Sequence, residues 1–436
     1  AKALKLINKK NSKGHFCWTC EVQEPVRAFW ESASALERKN FLKAVHNGSI
    51  EVCCLPFSFT PFLNAEEWDL CFQWLPEEIR GKVKCTCLMQ TDVNGIPRAA
   101  VRRALDAGVR FVWTGPNIHL ADTPFLSRQL FYWKQPDGRK ILVYMNSGYN
   151  DGYFLFNDNW RRGPLPAISD MTYRCPTKRD YFRTDKKSLL AAHEHCLAGL
   201  ANIEKASYVV KIAQTGASTL ETQEHYPYEI LPVSVTGQWR YDNDPPFDGL
   251  AEFVYEWNRL GLTPELELST PSRILGELEA LHGKSLPEYQ GEWTDWWAIG
   301  SISLPLSQSA TRDAERTLKK LQRIPHLSSK GKKIAKKCWL DLVWFREHTG
   351  GYWGSAALPD TRETFGHACK LQNYAFEAEA LARWQLSEHL RPLMAKEGPG
   401  ITVGNFSDVD TERCIYLETE ALRHELPEAL CDDVTG

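Results

Sequence analysis

The sequence predicts an α/β fold, and three observations support this prediction. Between Phe16 and His282, short apolar segments alternate with amphipathic ones, which is the pattern of parallel strands joined by crossover helices. About seven such units are present, which indicates a barrel or a large doubly wound sheet. The sequence contains neither a Gly-x-Gly-x-x-Gly motif nor a P-loop, and this argues against a nucleotide-binding sheet.

Short runs of apolar, β-branched and aromatic residues predict the strands, because such side chains fit a pleated surface. The runs are Phe16–Val22, Ile50–Leu55, Val83–Met89, Val109–Trp113, Ile141–Met145, Tyr208–Ala213, Glu229–Val235 and Glu265–Ser269. Before Ile141, the sequence Pro136-Asp137-Gly138 predicts a hairpin turn.

Apolar residues spaced three and four apart, closed by glycine or Asn-Gly, predict the helices. These segments are Pro25–His46, Trp68–Arg80, Arg98–Gly108, Leu189–Lys205, Leu250–Leu260 and Arg273–His282. Each of them lies between two predicted strands or directly after one, as a crossover connection requires.

The character of the sequence changes after Pro287. Three long helical segments follow, and they predict a helical bundle: Gln308–Gln322, Ser328–His348 and Thr361–Leu393. The residues from Gly400 onward resemble the opening strands of a β-rich domain. We therefore predict an α/β domain over residues 1–286, a helical domain over 287–396, and the start of a β-rich domain over 397–436.

Composition and charge exclude several classes of protein. Hydrophobic residues make up 43% and charged residues 25% of the 436 residues, as in an ordinary globular protein. The net charge of -3 offers no general attraction for nucleic acid or an anionic membrane, and no apolar run is long enough to span a bilayer. We therefore expect neither partner. The 11% of aromatic residues suits either a large core or a carbohydrate site.

The 13 cysteines are an odd number, and several lie inside apolar runs. This usage predicts buried free thiols in a reducing compartment, hence a cytoplasmic protein. Cys17 and Cys20 have the C-x-x-C spacing, but no second pair with zinc spacing follows them, and the alternation around them is typical of a strand.

Asp92 follows the predicted strand Val83–Met89 and precedes a predicted helix. In parallel α/β folds this edge carries the chemistry, because the strand ends are rigid and the loops beyond them are open. Asp92 is therefore a candidate catalytic residue. The alternative is that Asp92-Val93-Asn94-Gly95 is a simple turn, in which the Asp and Asn side chains bond the local backbone.

A second candidate loop follows the apolar run that ends at Val235. It contains Trp239, Asp242 and Asp244 and closes with Pro245-Pro246. Two acids on one loop can supply a general acid with a raised pKa. A proline-rich turn with solvated carboxylates is the alternative.

The third candidate is His348, which ends a predicted helix and enters a glycine-rich loop that contains Trp353. A histidine at this position can be a metal ligand delivered to the sheet by the helical domain. The alternative is a favourable contact between a C-terminal histidine and the helix dipole.

Taken in order, these segments resemble glycoside hydrolase family 38, the retaining α-mannosidases. The resemblance rests on Thr91-Asp-Val-Asn-Gly, the loop with Asp242 and Asp244, Gly291-Glu-Trp-Thr-Asp-Trp-Trp297, and His348-Thr-Gly-Gly-Tyr-Trp-Gly. The resemblance covers nearly the whole chain. It is strongest to a group of proteins that share that family's N-terminal domain.

The resemblance implies a seven-stranded β/α barrel, a three-helix bundle and β-rich domains, with one divalent metal, usually zinc. It implies that Asp92 is the nucleophile and a metal ligand, that His348 is the distal metal ligand, and that Asp242 or Asp244 is the acid/base. Carbohydrate would then bind against four aromatic side chains: Trp239, Tyr149, Trp296 and Trp353.

One departure from the family stands out, because no His-x-Asp motif precedes Phe16. In the family that motif, on the first strand, supplies two further metal ligands, so we expect a chain that lacks this strand. Three hypotheses follow: a metal-dependent retaining glycosidase, a non-catalytic carbohydrate-binding relative that has lost the metal, or another metal-dependent hydrolase such as a deacetylase.

Overall fold

The computed structural model describes residues 1–9, 13–60, 62–93, 95–115, 125, 128–146, 152, 155–156, 182–205, 208–212, 218–222, 226–235, 246–293, 303–351, 358–394 and 405–406. The helices are α1 Lys2–Ile7, α2 Glu24–Ser32, α3 Ala35–His46, α4 Ala65–Cys71, α5 Glu77–Arg80, α6 Arg98–Asp106, α7 Lys186–Lys205, α8 Leu250–Arg259, α9 Pro271–His282, α10 Pro305–Arg323, α11 Ser329–Phe345 and α12 Arg362–Met394. The strands are β1 Trp18–Val22, β2 Ile50–Leu55, β3 Cys87–Thr91, β4 Phe111–Gly115, β5 Gln129–Lys134, β6 Lys140–Met145, β7 Tyr208–Ile212, β8 Ser218–Thr222 and β9 Glu288–Tyr289.

The strands form three sheets in this part of the chain. Strands β1 and β2 pair in parallel, β7 and β8 pair antiparallel, and a five-stranded sheet has the order β3-β4-β6-β5-β9. Parallel pairs join β3 to β4 and β4 to β6, whereas β5 and β6 form the predicted hairpin. The α/β class is therefore confirmed.

The seven-stranded barrel is not confirmed. Within the described ranges no ladder connects β2 to β3, so the two-stranded and five-stranded sheets stay separate. Side chains span the seam instead: the Cys54 thiol donates to the Cys87 carbonyl over 2.9 Å, and the Ser58 hydroxyl donates to the Thr91 carbonyl over 3.4 Å.

Two predicted helices are each divided into two. Pro25–His46 is interrupted at Ala33, whose backbone is extended, because Ser34 starts α3 with a capping box that also uses Glu37. Trp68–Arg80 divides into α4 and α5, with Pro76 preceding α5. The spacing of apolar residues alone did not reveal that α3 and α5 begin as separate helices.

Two predicted strands are not strands. The segment Glu265–Ser269 is irregular because the Asn258 amide takes both backbone groups of Leu266, donating to its carbonyl over 2.8 Å and accepting from its N–H over 3.0 Å. The segment Glu229–Val235 is also irregular; Pro232 within it has no N–H, and its carbonyl accepts from the Tyr144 hydroxyl over 2.9 Å.

Apolar side chains cover both faces of the five-stranded sheet. Helices α4 and α6 pack on one face, whose buried residues include Trp68, Val101 and Val143. On the other face, Leu275 and Leu278 of α9 pack against strand residues. The three long helices α10 to α12 begin and end close to the predicted positions and share a core of their own.

The end of α11 docks on the loop after β2 through backbone hydrogen bonds. The Thr60 N–H donates to the Arg346 carbonyl over 3.1 Å, and the His348 N–H donates to the Ser58 carbonyl over 3.0 Å. Nearby, the rings of Phe57 and Trp344 stack with their centroids 4.6 Å apart. This contact brings His348 to the edge of the sheet where β3 ends.

None of the helices in the described ranges has the length and the apolar character that crossing a bilayer requires.

Candidate active site

Asp92 lies directly after β3, at the carboxyl edge of the parallel strands. Its N–H donates to the carbonyl of Gly115, the last residue of β4, over 2.8 Å, so the backbone is tied to the neighbouring strand. Its φ of 71° lies in the left-handed region, which is uncommon for a residue other than glycine and is most often tolerated by Asp and Asn. Such strained backbone is frequent at functional sites.

Gln90 shapes the loop around Asp92. Its amide nitrogen donates to the Gly95 carbonyl over 2.8 Å, and its amide oxygen accepts from the Phe59 N–H over 3.3 Å. Because Gln90 is buried, these bonds fix the loop after β3 against the loop after β2. These bonds thereby fix the loop that carries Asp92.

His348 faces Asp92 across this edge. Its Nε2 lies 3.3 Å from Oδ2 of Asp92, and its Nδ1 lies 2.5 Å from Oε1 of Glu347. The imidazole is mostly buried between the two carboxylates. Burial by itself would lower the pKa of His348, but the hydrogen bonds and negative charges of Asp92 and Glu347 outweigh it and raise that pKa to about 10.

Glu347 holds the other side of the histidine. Burial would raise the pKa of its carboxyl, but the hydrogen bond and charge of His348 and the hydrogen bonds of Thr349 lower it. Its Oε2 accepts from the Thr349 N–H over 3.0 Å and from the Thr349 hydroxyl. A carboxylate on the second ring nitrogen fixes the orientation of a functional histidine.

Glu21 is a third carboxylate near this edge, at the end of β1. It accepts hydrogen bonds from the N–H of Thr91, over 3.1 Å, and from the Thr91 hydroxyl. Burial raises the pKa of Glu21 and the charge of Asp92 adds to this effect, whereas its bonds to Thr91 and the charge of His348 lower it. Glu21 therefore fixes the residue that precedes Asp92.

The sequence predicted that Asp92 and His348 belong to one site. The structure places them in contact, although they are 256 positions apart in the chain. The sequence prediction missed Glu21 and Glu347. The only signal for Glu347 was its position next to His348; Glu21 had none, because a carboxylate near the end of a strand usually faces solvent. The other predicted site residues lie outside the described residues: Asp242, Asp244, Trp239, Tyr149, Trp296 and Trp353.

The donors at this site suit zinc in kind but not in number. Imidazole nitrogen and carboxylate oxygen are both zinc ligands, and a catalytic zinc has about three protein ligands. Asp92 and His348 supply two, and the Glu347 carboxylate is engaged by the other nitrogen of His348. In the described part of the chain, three candidate ligands come within 4.8 Å of one another only at Glu51, Cys53 and Cys87. The described residues at Asp92 therefore do not fit a complete zinc site.

Comparison with solved structures identifies the type of fold. An α-mannosidase from Enterococcus faecalis V583 matches with a TM-score of 0.55 and 14% identity, over 90% of this chain and 39% of that chain. A protein in glycosyl hydrolase family 38 from Enterococcus faecalis aligns over 90% of this chain and 37% of that chain, with a TM-score of 0.48 and 13% identity.

The fold of this chain is similar to that of an α-mannosidase. No protein-family model matches the sequence, and neither does any curated protein. The chain spans about two fifths of the length of the solved structures it matches. The predicted resemblance is thereby confirmed for the fold.

Proposed function

We propose that this protein is a retaining glycoside hydrolase of the α-mannosidase type, with Asp92 as its nucleophile. The observation that carries the proposal is the contact between Asp92 and His348, 3.3 Å apart, at the carboxyl edge of the strands. The solved structure that the fold resembles, with a TM-score of 0.55, is titled an α-mannosidase. Both observations support a carbohydrate substrate.

The nucleophile must be an ionised carboxylate. The imidazole of His348 bonds Oδ2 of Asp92, and its positive charge favours the ionised form of that carboxyl. In this proposal Oδ1 attacks the anomeric carbon. The new bond from Oδ1 to this carbon forms as the glycosidic bond breaks, and the leaving oxygen takes a proton from the acid/base residue.

We assign the acid/base role to Asp242, with Asp244 as the second candidate. In the second step the same residue, now ionised, takes a proton from water, and the water oxygen replaces Oδ1 of Asp92 at the anomeric carbon. Retention requires the two carboxyl groups to lie about 5–5.5 Å apart. Trp239, Tyr149, Trp296 and Trp353 are the proposed sugar platforms, because aromatic faces pack against the apolar side of a sugar ring.

Glu347 and Glu21 are positioning residues in this proposal. Glu347 orients the ring of His348, and Glu21 holds the backbone before Asp92 through Thr91. A divalent cation, zinc in the first place, would bind at Asp92 and His348 only together with ligands from outside the described residues. Because the described residues do not fit a complete zinc site, no step of this mechanism depends on a metal.

The test is turnover of an aryl α-mannoside by the chain and by an Asp92→Asn variant. Loss of a nucleophile should lower kcat by at least about 10⁴-fold. An activated fluoroglycoside should label the unmodified chain with one glycosyl group on the peptide that contains Asp92. The matched control is Asp69→Asn, an acid that pairs with Arg103 on the surface and should leave turnover unchanged. Equal turnover by the Asp92→Asn variant would exclude the assignment.

A second candidate function is carbohydrate binding without catalysis. The observation that favours it is the count of two metal donors at the site in the described ranges. Under this alternative the purified chain binds mannosides with no turnover and with no metal at Asp92. Turnover that is abolished by Asp92→Asn would exclude it.

A further inference from the structure

Three side chains of the types that bind metals lie close together, and none of them has a role in the proposed reaction. Glu51 and Cys53 belong to β2, where residues two apart point to the same face, and Cys87 begins β3. One carboxylate oxygen and the two sulfur atoms all lie within 4.8 Å of one another. Such separations are those of ligands that share one cation.

The group is enclosed by apolar residues. Cys53 and Cys87 are fully buried, and Glu51 is 9% exposed. Both cysteines belong to the cluster that Leu275 and Leu278 of α9 cover. A ligand at this point would be surrounded by protein, as in structural metal sites and unlike catalytic ones, which keep an open position.

Hydrogen bonds orient the Glu51 carboxylate. It accepts from the Ser272 N–H over 2.9 Å and from the Ser272 hydroxyl over 2.5 Å, and the same hydroxyl lies 2.7 Å from the Thr86 hydroxyl. Ser272 is in the first turn of α9, where the helix dipole favours negative charge. Glu51 is thus held as metal-binding carboxylates commonly are, by a second layer of hydrogen bonds.

The charge of Glu51 is explained better by a bound metal than by a role in capping α9. No lysine or arginine in the described part of the chain forms an ion pair with this carboxylate, and Glu51 is 9% exposed. A cap explains the bonds to Ser272 but not the two sulfur atoms beside the oxygen. A buried carboxylate without a countercharge is unfavourable, and a bound cation supplies that charge.

We propose that Glu51, Cys53 and Cys87 bind a thiophilic divalent cation of the zinc and cadmium class. Two sulfurs and one oxygen suit such ions and do not suit magnesium or calcium. On binding, each thiol releases its proton to solvent and each sulfur donates an electron pair to the cation, with no change of oxidation state. The N-terminus of α9 offsets part of the remaining negative charge.

The consequence of binding is a tie across the seam between β2 and β3. In the described ranges no backbone ladder joins these two strands. A cation held by Cys53 on one strand and Cys87 on the other would connect the two-stranded sheet to the five-stranded sheet. The site is therefore proposed to stabilise the fold and not to take part in sugar cleavage.

The experiment is a Cd²⁺ titration of the reduced full chain, followed by the ultraviolet charge-transfer band of cadmium bound to thiolate. We expect about one Cd²⁺ per chain, with a band that is lost in the double variant Cys53→Ala/Cys87→Ala. A Glu51→Gln variant keeps an acceptor for Ser272, so α9 stays capped, and should bind about 10-fold more weakly. Cd²⁺ held between Asp92 and His348 has no sulfur ligand and gives no such band.

The matched control is Cys54→Ser, a neighbouring buried cysteine that belongs to the core on the opposite face of the sheet and should leave the band intact. A second measurement needs no variant: Cd²⁺ should protect Cys53 and Cys87 from alkylation during partial unfolding, and should leave Cys71 of α4 unprotected. Absence of the band in the unmodified chain, or a full band in the double variant, would overturn the proposal.

Discussion

The two ends of β3 carry two clusters of opposite character. At its start, Cys87 lies with Cys53 and Glu51 in a fully buried setting, where the neighbours are apolar and no cationic side chain pairs with the carboxylate in the described ranges. Just past its end, Asp92 meets His348, a cationic partner drawn from the helical half of the chain. One strand therefore begins in a closed core and ends at a charged edge.

The difference shows what each position can do. Asp92 has a left-handed backbone conformation, its side chain is 29% exposed, and its Oδ2 contacts the imidazole of His348. The two thiols of the buried cluster have no contact with solvent. The hydrogen bond with Cys87 and burial raise the pKa of Cys53, and burial raises the pKa of Cys87. We therefore expect substitutions just past the end of β3 to affect turnover and substitutions at its start to affect stability. Four measurements test this difference.

The largest effect should come from Arg346, which anchors the loop that carries His348. Its guanidinium is 2% exposed and pairs with Glu67 over 3.5 Å and with Glu315 over 3.0 Å. Arg346→Met removes the cation that pairs with buried Glu67 and half-buried Glu315, and should destabilise the protein by about 3–5 kcal/mol in urea unfolding. The surface pair of Arg383 offers a control, because Arg383→Met should cost less than about 1 kcal/mol. Similar losses for the two variants would contradict this account.

His348→Gln should distinguish the roles of the two ends of β3 most clearly. Loss of the imidazole removes the partner of Asp92 and should lower kcat/KM on an aryl α-mannoside by about 10²–10³-fold. Cys87→Ala at the other end should lower thermal stability and leave kcat/KM of the folded protein within about twofold. A Cys87→Ala variant that is as inactive as His348→Gln would show that the contrast is wrong.

Glu67 should make stability depend on pH. Burial raises its pKa to about 7, and Glu315 adds to this effect, while Arg346 acts against it. Because the folded pKa lies above the unfolded value, the contribution is fully present below about pH 4.5 and is lost as the pH rises through about 7. We expect about 3 kcal/mol of stability to disappear over this window, from the size of the shift.

Urea unfolding across this pH range measures the effect, and Glu67→Gln should flatten it. Gln retains the volume and an acceptor for the Asn64 N–H but has no titrating proton. An unchanged pH profile in the variant would assign the dependence to another group.

The smallest of the four effects should come from Glu347→Gln. The amide can still contact Nδ1 of His348 but loses the charge that orients the ring, so kcat should fall about 10–100-fold with little change in KM. Glu377→Gln on α12, which loses only a surface pair with Lys337, is the control and should behave like the unmodified chain. A change confined to KM would mean that Glu347 contacts the sugar and does not position His348.

The sequence alone was enough to predict the features that depend on neighbouring residues. The spacing of apolar residues predicted α10, α11 and α12 with nearly correct bounds, and Pro136-Asp137-Gly138 predicted the hairpin of β5 and β6. It also identified Asp92 as a strand-end residue and His348 as a helix-end residue. These features depend on helix period, turn chemistry and chain order, and each of these can be predicted from a short stretch of sequence.

The folded structure alone revealed the features that depend on contacts between distant residues. It shows that Glu21 bonds Thr91 and that the Asn258 amide bonds the backbone of Leu266, inside the segment Glu265–Ser269 that was predicted as a strand. In the described residues it shows no ladder between β2 and β3. The meeting of Asp92 with His348 joins residues 256 positions apart and needs the docking of α11 on the loop after β2. No local pattern encodes such contacts, because their free energy arises from surfaces that come together only when the whole chain has folded.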